Sequence, residues 1–158
     1  MSEKYNSDEI SVEKITLKKN GQTLITDDLS FSILIKKLNE KKLNDLYCRI
    51  EFVLDIAYRN LTFDIFKSES KDYDNSLENI NLDFLSIESL SELLKKQNIE
   101  DSFWCNISCI NIYINYRLSK EETEPEKSIK ITIPLNIYKD TMTDNITYKT
   151  TYNPFDYL

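Results

Sequence analysis

The sequence predicts a mainly β protein, an antiparallel sandwich or a strongly curved sheet of seven to eight strands with one covering helix. Three observations carry that prediction. Apolar and polar residues alternate at period two over long runs, short turn signals separate most of those runs, and only the stretch after Ser86 spaces its apolar residues as a helix does.

A chain of 158 residues falls in the size range of one domain and can remove about 70% of its unfolded surface from water. Apolar residues make up 41% and charged residues 30%, with ten Tyr and seven Phe, which is a globular composition. No internal repeat, Pro/Gly-rich linker or composition shift divides the chain, so residues 1–158 are expected to form a single domain. Residues 1–9 are polar and expected to be flexible, and the C-terminal tail 153–158 is expected either to dock or to stand exposed.

Ile10 to Lys19 begins the ordered part, with Ile15 and Leu17 on one face. Asn20-Gly21 suits a type I′ hairpin, because both central residues need positive φ, and Gly21 is the only glycine. That hairpin would set Leu17 opposite Leu24. Leu29, Phe31, Ile33 and Ile35 alternate with Ser30, Ser32 and Leu34, giving a third strand, although Asp28 is placed to cap a short helix over the same residues.

The strongest alternation follows. Leu46, Cys48, Ile50, Phe52, Leu54, Ile56 and Tyr58 share one face, while Tyr47, Arg49, Glu51, Val53, Asp55, Ala57 and Arg59 share the other. At Arg59-Asn60 the phase changes to Leu61, Phe63 and Ile65, which requires a tight turn or a bend. Residues 67–81 are polar and acidic and read as a long loop. From Ser86, Ile87, Leu90, Leu93 and Leu94 follow helical spacing, with Glu88 and Glu92 early and Lys95 and Lys96 late, as the helix dipole favours.

Trp104 to Leu118 carries apolar residues on both faces, which marks a central strand. After the charged loop Ser119 to Lys127, a strand is expected through Ile129, Ile131, Ile133, Leu135 and Ile137. Pro134 cannot donate to a ladder, so this strand is expected at an edge or with a bulge. Ile146, Tyr148 and Tyr152 form a last strand.

Much chemistry is excluded. The chain has no histidine, which removes the commonest general base, the Ser-His-Asp and Cys-His arrangements and most catalytic zinc sites. With one glycine there is no Gly-rich phosphate cradle, because backbone must approach phosphate where a side chain would clash. No catalytic residue and no cofactor is expected, and an enzyme would have to work with converging carboxylates alone. The net charge of −7 opposes binding to phosphate backbones, so nucleic acid is not expected as a partner. Lys36, Lys37, Lys41 and Lys42 form a local basic cluster that reads as a solvated turn.

Met1-Ser2-Glu3-Lys4 opens a polar segment with no apolar core, so neither a signal peptide nor a transmembrane segment is expected, and a cytoplasmic location is the default. Three cysteines do not read as a disulfide framework. Cys48, Cys105 and Cys109 are expected to be reduced core thiols. On a strand, Cys105 and Cys109 lie about 13 Å apart at roughly 3.3 Å per residue, too far to share a zinc ion.

Two weak motifs remain. Asp72, Asp74, Ser76 and Glu78, with Asp83 further on, have the spacing of oxygen ligands in a calcium loop, but Leu77 stands where an EF-hand needs glycine. A solvated acidic loop is the simpler reading, and no metal site is expected. Asn153-Pro154-Phe155 looks like the short peptide bound by EH domains, so Asn153, Pro154, Phe155 and Tyr157 are candidate partner-binding residues. Asn-Pro also initiates turns, and Phe155 with Tyr157 and Leu158 would equally tie the terminus down.

With catalysis set aside, the expected function is a non-enzymatic protein-binding or complex-assembly module, holding another protein or a second copy through a sheet face, an edge strand or its tyrosines. Exposed Tyr suits interfaces because it joins apolar area to a polar tip. It also suits half-exposed strands for purely structural reasons. The alternatives are a carrier of an apolar ligand or lipid inside a curved sheet, and a Ca²⁺-dependent β-sandwich binding domain.

Overall fold

A run that alternates apolar and polar residues can bury one side only as a pleated strand, and the long alternating runs of this chain all do so. A computed structural model describes residues 5–17, 21–56, 59–100, 104–105, 107–121, 123–140, 142 and 146–157. In chain order the elements are β1 (Ile10–Leu17), β2 (Gly21–Leu24), β3 (Leu29–Lys37), β4 (Leu43–Ile56), β5 (Arg59–Lys67), β6 (Lys71–Tyr73) and β7 (Asn79–Ile87). Helix α1 (Leu90–Lys96), β8 (Ile107–Arg117), β9 (Lys127–Asp140), β10 (Ile146–Thr151) and a 3₁₀ turn (Pro154–Tyr157) follow.

The strands form two antiparallel sheets. The small one has the order β1-β3-β7, and the large one β2-β10-β9-β8-β4-β5, with β6 also paired to β4. The sheets face each other across one hydrophobic core, to which β4 gives Cys48, Ile50, Phe52 and Leu54, β8 gives Ile110, Ile112 and Ile114, and β3 gives Phe31, Ile33 and Ile35. Phe66 of β5 and Phe31 of β3 both pack on Phe84 of β7, with ring centroids 5.4 and 5.5 Å away. The chain is therefore a mainly β protein with one helix, as the period-two pattern predicts.

Of the tight turn and the bend that the phase change at Arg59 allows, β4 and β5 take the first, pairing antiparallel with Ile56 opposite Arg59; Ala57 and Tyr58 lie outside the described residues. Residues 29–37 are strand. β8 lies between β4 and β9 as a central strand; its inner face carries Ile110, Ile112 and Ile114, while Cys109, Asn111 and Tyr113 stand on the outer face.

Several expectations are corrected. β1 and β2 do not form a hairpin: β1 pairs with β3 and β2 with β10, so the chain crosses between sheets here and Leu24 stands opposite Tyr148 instead of Leu17. Gly21 keeps the positive φ of 77° that favours glycine, but uses it at a crossover. The acidic stretch 67–81 is not one loop, because β6 and the start of β7 lie within it. Ile87 belongs to β7, opposite Leu29, so the helix begins only at Leu90. Its N-cap is Ser89, whose hydroxyl accepts from the Glu92 amide at 3.3 Å.

Pro134 sits in a central strand without a bulge, between β8 and β10. Its carbonyl accepts from the Tyr152 amide at 2.9 Å, so its backbone polar positions face β10 and not β8. The missing N–H falls just beyond Thr151, the last residue of β10, and costs no bond to β8. Within residues 5–9, Tyr5 and Glu9 are buried and Asn6 and Asp8 exposed, while residues 1–4 lie outside the described residues. In the basic cluster, Lys36, Lys41 and Lys42 are exposed but Lys37 is buried, its ammonium capped by the Asp74 carbonyl. On β10 it is Lys149 and Thr151 that turn inward, and Ile146 and Tyr152 are exposed.

Candidate interaction surface

The residues of β4, β5, β8 and β9 that do not enter the core share the outer face of the large sheet, and the strand registers arrange them in rows. Asp64, Glu51, Asn111 and Thr132 stand side by side across β5, β4, β8 and β9, and the next row holds Lys67, Arg49, Tyr113 and Lys130. Glu51 is buried beneath this layer. Its carboxylate accepts from the Tyr113 hydroxyl at 2.7 Å, from Asn111 Nδ2 at 3.0 Å and from Arg49 at 3.1 Å. Burial alone would raise its pKa, but these three donors hold it below the usual 4.5.

Arg49 also pairs with Asp64 at 3.2 Å, and its guanidinium lies 4.3 Å from the centre of the Tyr113 ring. Lys130 approaches the same ring at 5.8 Å. Thr132 donates to Asn111 Oδ1 at 2.8 Å, which leaves the Asn111 amide nitrogen turned to Glu51. One row further on, Tyr47 donates to Glu126 at 3.0 Å and Lys67 lies 4.8 Å from its ring centre. At the β9–β10 end of the face, Tyr138 and Tyr148 stack at 5.9 Å beside the exposed Leu24.

These contacts sort the tyrosines. Tyr5 and Tyr116 are buried, Tyr47, Tyr113, Tyr138 and Tyr148 are half-buried on the outer face of the large sheet, Tyr73 is half-buried on β6, and Tyr152 is exposed. Tyr58 lies outside the described residues. The aromatic surface expected from composition is thus concentrated on one sheet face.

A second polar cluster lies at the end of the sandwich. Glu9 is buried, and its Oε1 accepts from the Tyr116 hydroxyl at 2.8 Å and from Lys127 at 2.7 Å. Tyr116 also shares a 2.6 Å hydrogen bond with Ser7. Burial alone would raise the Glu9 pKa, but Lys127 and Tyr116 keep it below 4.5, and burial pushes the Tyr116 hydroxyl well above 10. The cluster pins the N-terminal segment, and sequence reasoning missed it because its members stand more than a hundred residues apart.

The acidic calcium candidates are not brought together. Asp72 lies on β6, where its carboxylate accepts from the Asp45 amide at 2.9 Å and pairs with Lys120 at 2.8 Å. Asp45 has φ 53° at a bulge of β4, so Asp72 holds that bulge in place. Asp83 lies on β7 in the other sheet, Asp74 meets Lys37 through its backbone carbonyl, and the Glu78 carbonyl accepts from the Lys37 amide. Among the described residues, no group of three or more His, Cys, Asp or Glu side chains is placed to hold a metal ion.

The tail is docked. Asn153 is buried, its Nδ2 donates to the Ile15 carbonyl at 2.6 Å and its Oδ1 accepts from the Phe155 amide at 3.0 Å. Phe155 packs on Tyr5 with centroids 5.2 Å apart, and Pro154 to Tyr157 form the closing 3₁₀ turn. Asn153 thus works as an internal cap.

All three thiols are free, but the expectation of three core thiols holds only for Cys48: Cys105 precedes β8 and is exposed, and Cys109 is half-buried on the outer face. Burial pushes the Cys48 thiol up to about 12 and also raises Cys109. In the native protein a maleimide or a disulfide reagent is therefore expected to label Cys105 first, Cys109 slowly and Cys48 only on unfolding. Mass-mapped labelling checks this, and early modification of Cys48 would contradict the packing of β4.

No model of a known protein family matches the chain. A search of curated proteins likewise finds no relative. Among the described residues, no helix is long and apolar enough to cross a membrane. Fold and surface together define a class, the two-sheet antiparallel β-sandwich with an ordered polar and aromatic outer face.

Proposed function

We propose that the chain is a non-enzymatic protein-binding or complex-assembly module that docks another protein on the outer face of its large sheet. One observation carries the reading: Arg49 lies over the Tyr113 ring and is tied to both Glu51 and Asp64 before any partner arrives. Arg and Tyr are the side chains that most often dominate binding energy at interfaces. Holding them in place beforehand removes part of the ordering cost of association. Free thiols, one of them exposed, fit a reducing, cytoplasmic setting. The net charge of −7 favours a protein partner over nucleic acid.

The carrier alternative needs interior volume, since ligand pockets run to about 300 Å³ or more. A cavity lined by Leu17, Phe31, Ile110, Ile133, Lys149 and Thr151 between the sheets measures about 30 Å³, room for a water or two, and the larger space of about 430 Å³ beside Lys36, Leu38, Leu77 and Asn79 is an open surface cleft.

The test is affinity capture from the native cell with the tagged chain, alongside Tyr113→Ala and, on the small sheet, Glu13→Ala. A stoichiometric partner is expected on the wild-type chain and on Glu13→Ala, with recovery on Tyr113→Ala reduced at least about tenfold, the loss a hot-spot truncation produces. Equal recovery by all three chains would reject the surface. A bound apolar molecule in native mass spectrometry, with no protein partner, would favour the carrier.

A further inference from the structure

Most lateral strand edges of this sandwich are closed. On β1, Asn6 bridges Ser11 and the Ile15 carbonyl takes Asn153 Nδ2. On β2, the Leu24 amide donates to the Asp27 carboxylate at 3.2 Å, and the Leu24 carbonyl accepts from Lys149 at 2.7 Å. On β5, a bulge separates the Glu51–Asp64 pair from the Ile50–Phe66 pair. Caps and bulges of this kind are how proteins keep edges from pairing.

β7 carries a bulge only at its far end, between Phe84 and Ile87. From Asn79 to Phe84 it runs in unbroken register with β3. The Lys37 amide donates to the Glu78 carbonyl. Since both backbone polar groups of a strand residue point to one side and the side alternates, Ile80, Leu82 and Phe84 also face β3. The N–H and C=O groups of Asn79, Asn81 and Asp83 then point away from the sheet, and their side chains are exposed on its outer face.

We propose that β7 pairs antiparallel with β7 of a second copy of this chain, about a two-fold axis at Asn81, joining two three-stranded sheets into one of six strands. The edge is complementary to itself in that register. Asn79 stands opposite Asp83 of the second copy, Asn81 opposite Asn81, and each pair exchanges two backbone hydrogen bonds. The Asn79 amide reaches the facing Asp83 carboxylate, and no like charges are opposed. On the inner side, Leu82, half-buried at the free edge, meets Ile80 of the second copy. Leu77, 61% exposed next to the run, is passed over by the second strand. This edge is separate from the outer face of the large sheet, so either surface stands if the other fails.

Sedimentation equilibrium of the full chain tests the pairing. A dimer is expected with a dissociation constant on the order of 100 μM, as suits a small interface. It should tighten with added salt, because each copy carries a net charge of −7. Asn81→Pro removes an N–H that points away from β3, and Asp83→Lys places on the edge the residue that proteins use to block pairing. Each is expected to weaken the dimer at least about tenfold while leaving the unfolding midpoint in place. The amides of Asn79, Asn81 and Asp83 should exchange more slowly with deuterium as concentration rises. A chain that stays monomeric at about 1 mM, a dimer indifferent to both variants, or exchange at these amides that does not respond to concentration would overturn the proposal.

Discussion

Replacing Phe52 by Ala is expected to remove about 3–5 kcal/mol of unfolding free energy, the loss found when a large aromatic leaves a closed core. Phe52 has no exposed surface, and its neighbours in the sheet are Ile110 and Phe63. Three adjoining strands hold those neighbours in register, so they cannot collapse into the space. Against a total of about 5–15 kcal/mol, the loss should lower the melting temperature by roughly 10 °C or more. The next residue, Val53, stands on the outer face opposite Cys109 and is half-buried; Val53→Ala should cost about 1 kcal/mol or less. Urea unfolding of both variants decides the matter, and equal losses would mean that the inner and outer faces of β4 are wrongly placed.

Glu9→Gln is expected to cost roughly 2–3 kcal/mol near neutral pH. A fully buried pair broken on one side loses about 3–5 kcal/mol, and the smaller figure applies because the Lys127 side chain is 39% exposed. The cost should depend on pH with a definite sign. Glu9 titrates below its usual 4.5 when folded, so its stabilisation is complete above that value and disappears as pH falls through the lower folded value. Tyr116 and Lys127 titrate above their usual 10.0 and 10.5. Stability held by their protonated forms is complete below those values and is lost as pH rises beyond them. The gap between wild type and Glu9→Gln should thus be flat from about pH 5 to 9 and narrow in acid. Denaturant titrations across that range measure it, and a gap unchanged under acid conditions would remove the carboxylate from the explanation.

The core was legible where period two was unbroken and the apolar residues were Ile, Leu or Phe, as in Leu46 to Leu54 and Ile110 to Tyr116. β7 was not legible. Asn79-Ile80-Asn81-Leu82-Asp83-Phe84 alternates just as strictly, but Asn and Asp are depleted in strands and argue for loop, and only its place against β3 lets Ile80 and Phe84 be buried. The Asn-Gly signal marks a backbone need at Gly21 but not a hairpin, because positive φ serves a crossover equally well. Pro134 shows the same limit: which side of a strand a missing N–H faces depends on where the neighbouring strand ends.

Of the outer face of the large sheet, the alternation placed Tyr47, Arg49 and Glu51 on one face of β4. That Arg49 would lie on Tyr113 and Glu51 would receive Asn111 depends on the register between β4 and β8, two strands about sixty residues apart. No local pattern encodes that register. The fate of the tail was undecidable for the same reason, since Asn153 finds its acceptor 138 residues away.

That separation sets a timetable for synthesis. β1 is made before the other described strands, and the Asn153 amide that covers its Ile15 carbonyl follows only after 138 further residues, roughly seven to thirty seconds at ordinary rates of translation. Throughout that interval the growing chain carries an uncapped template for mispairing. Its hazard is therefore kinetic: pausing or termination of synthesis before Asn153 should yield more aggregate than the same event after it.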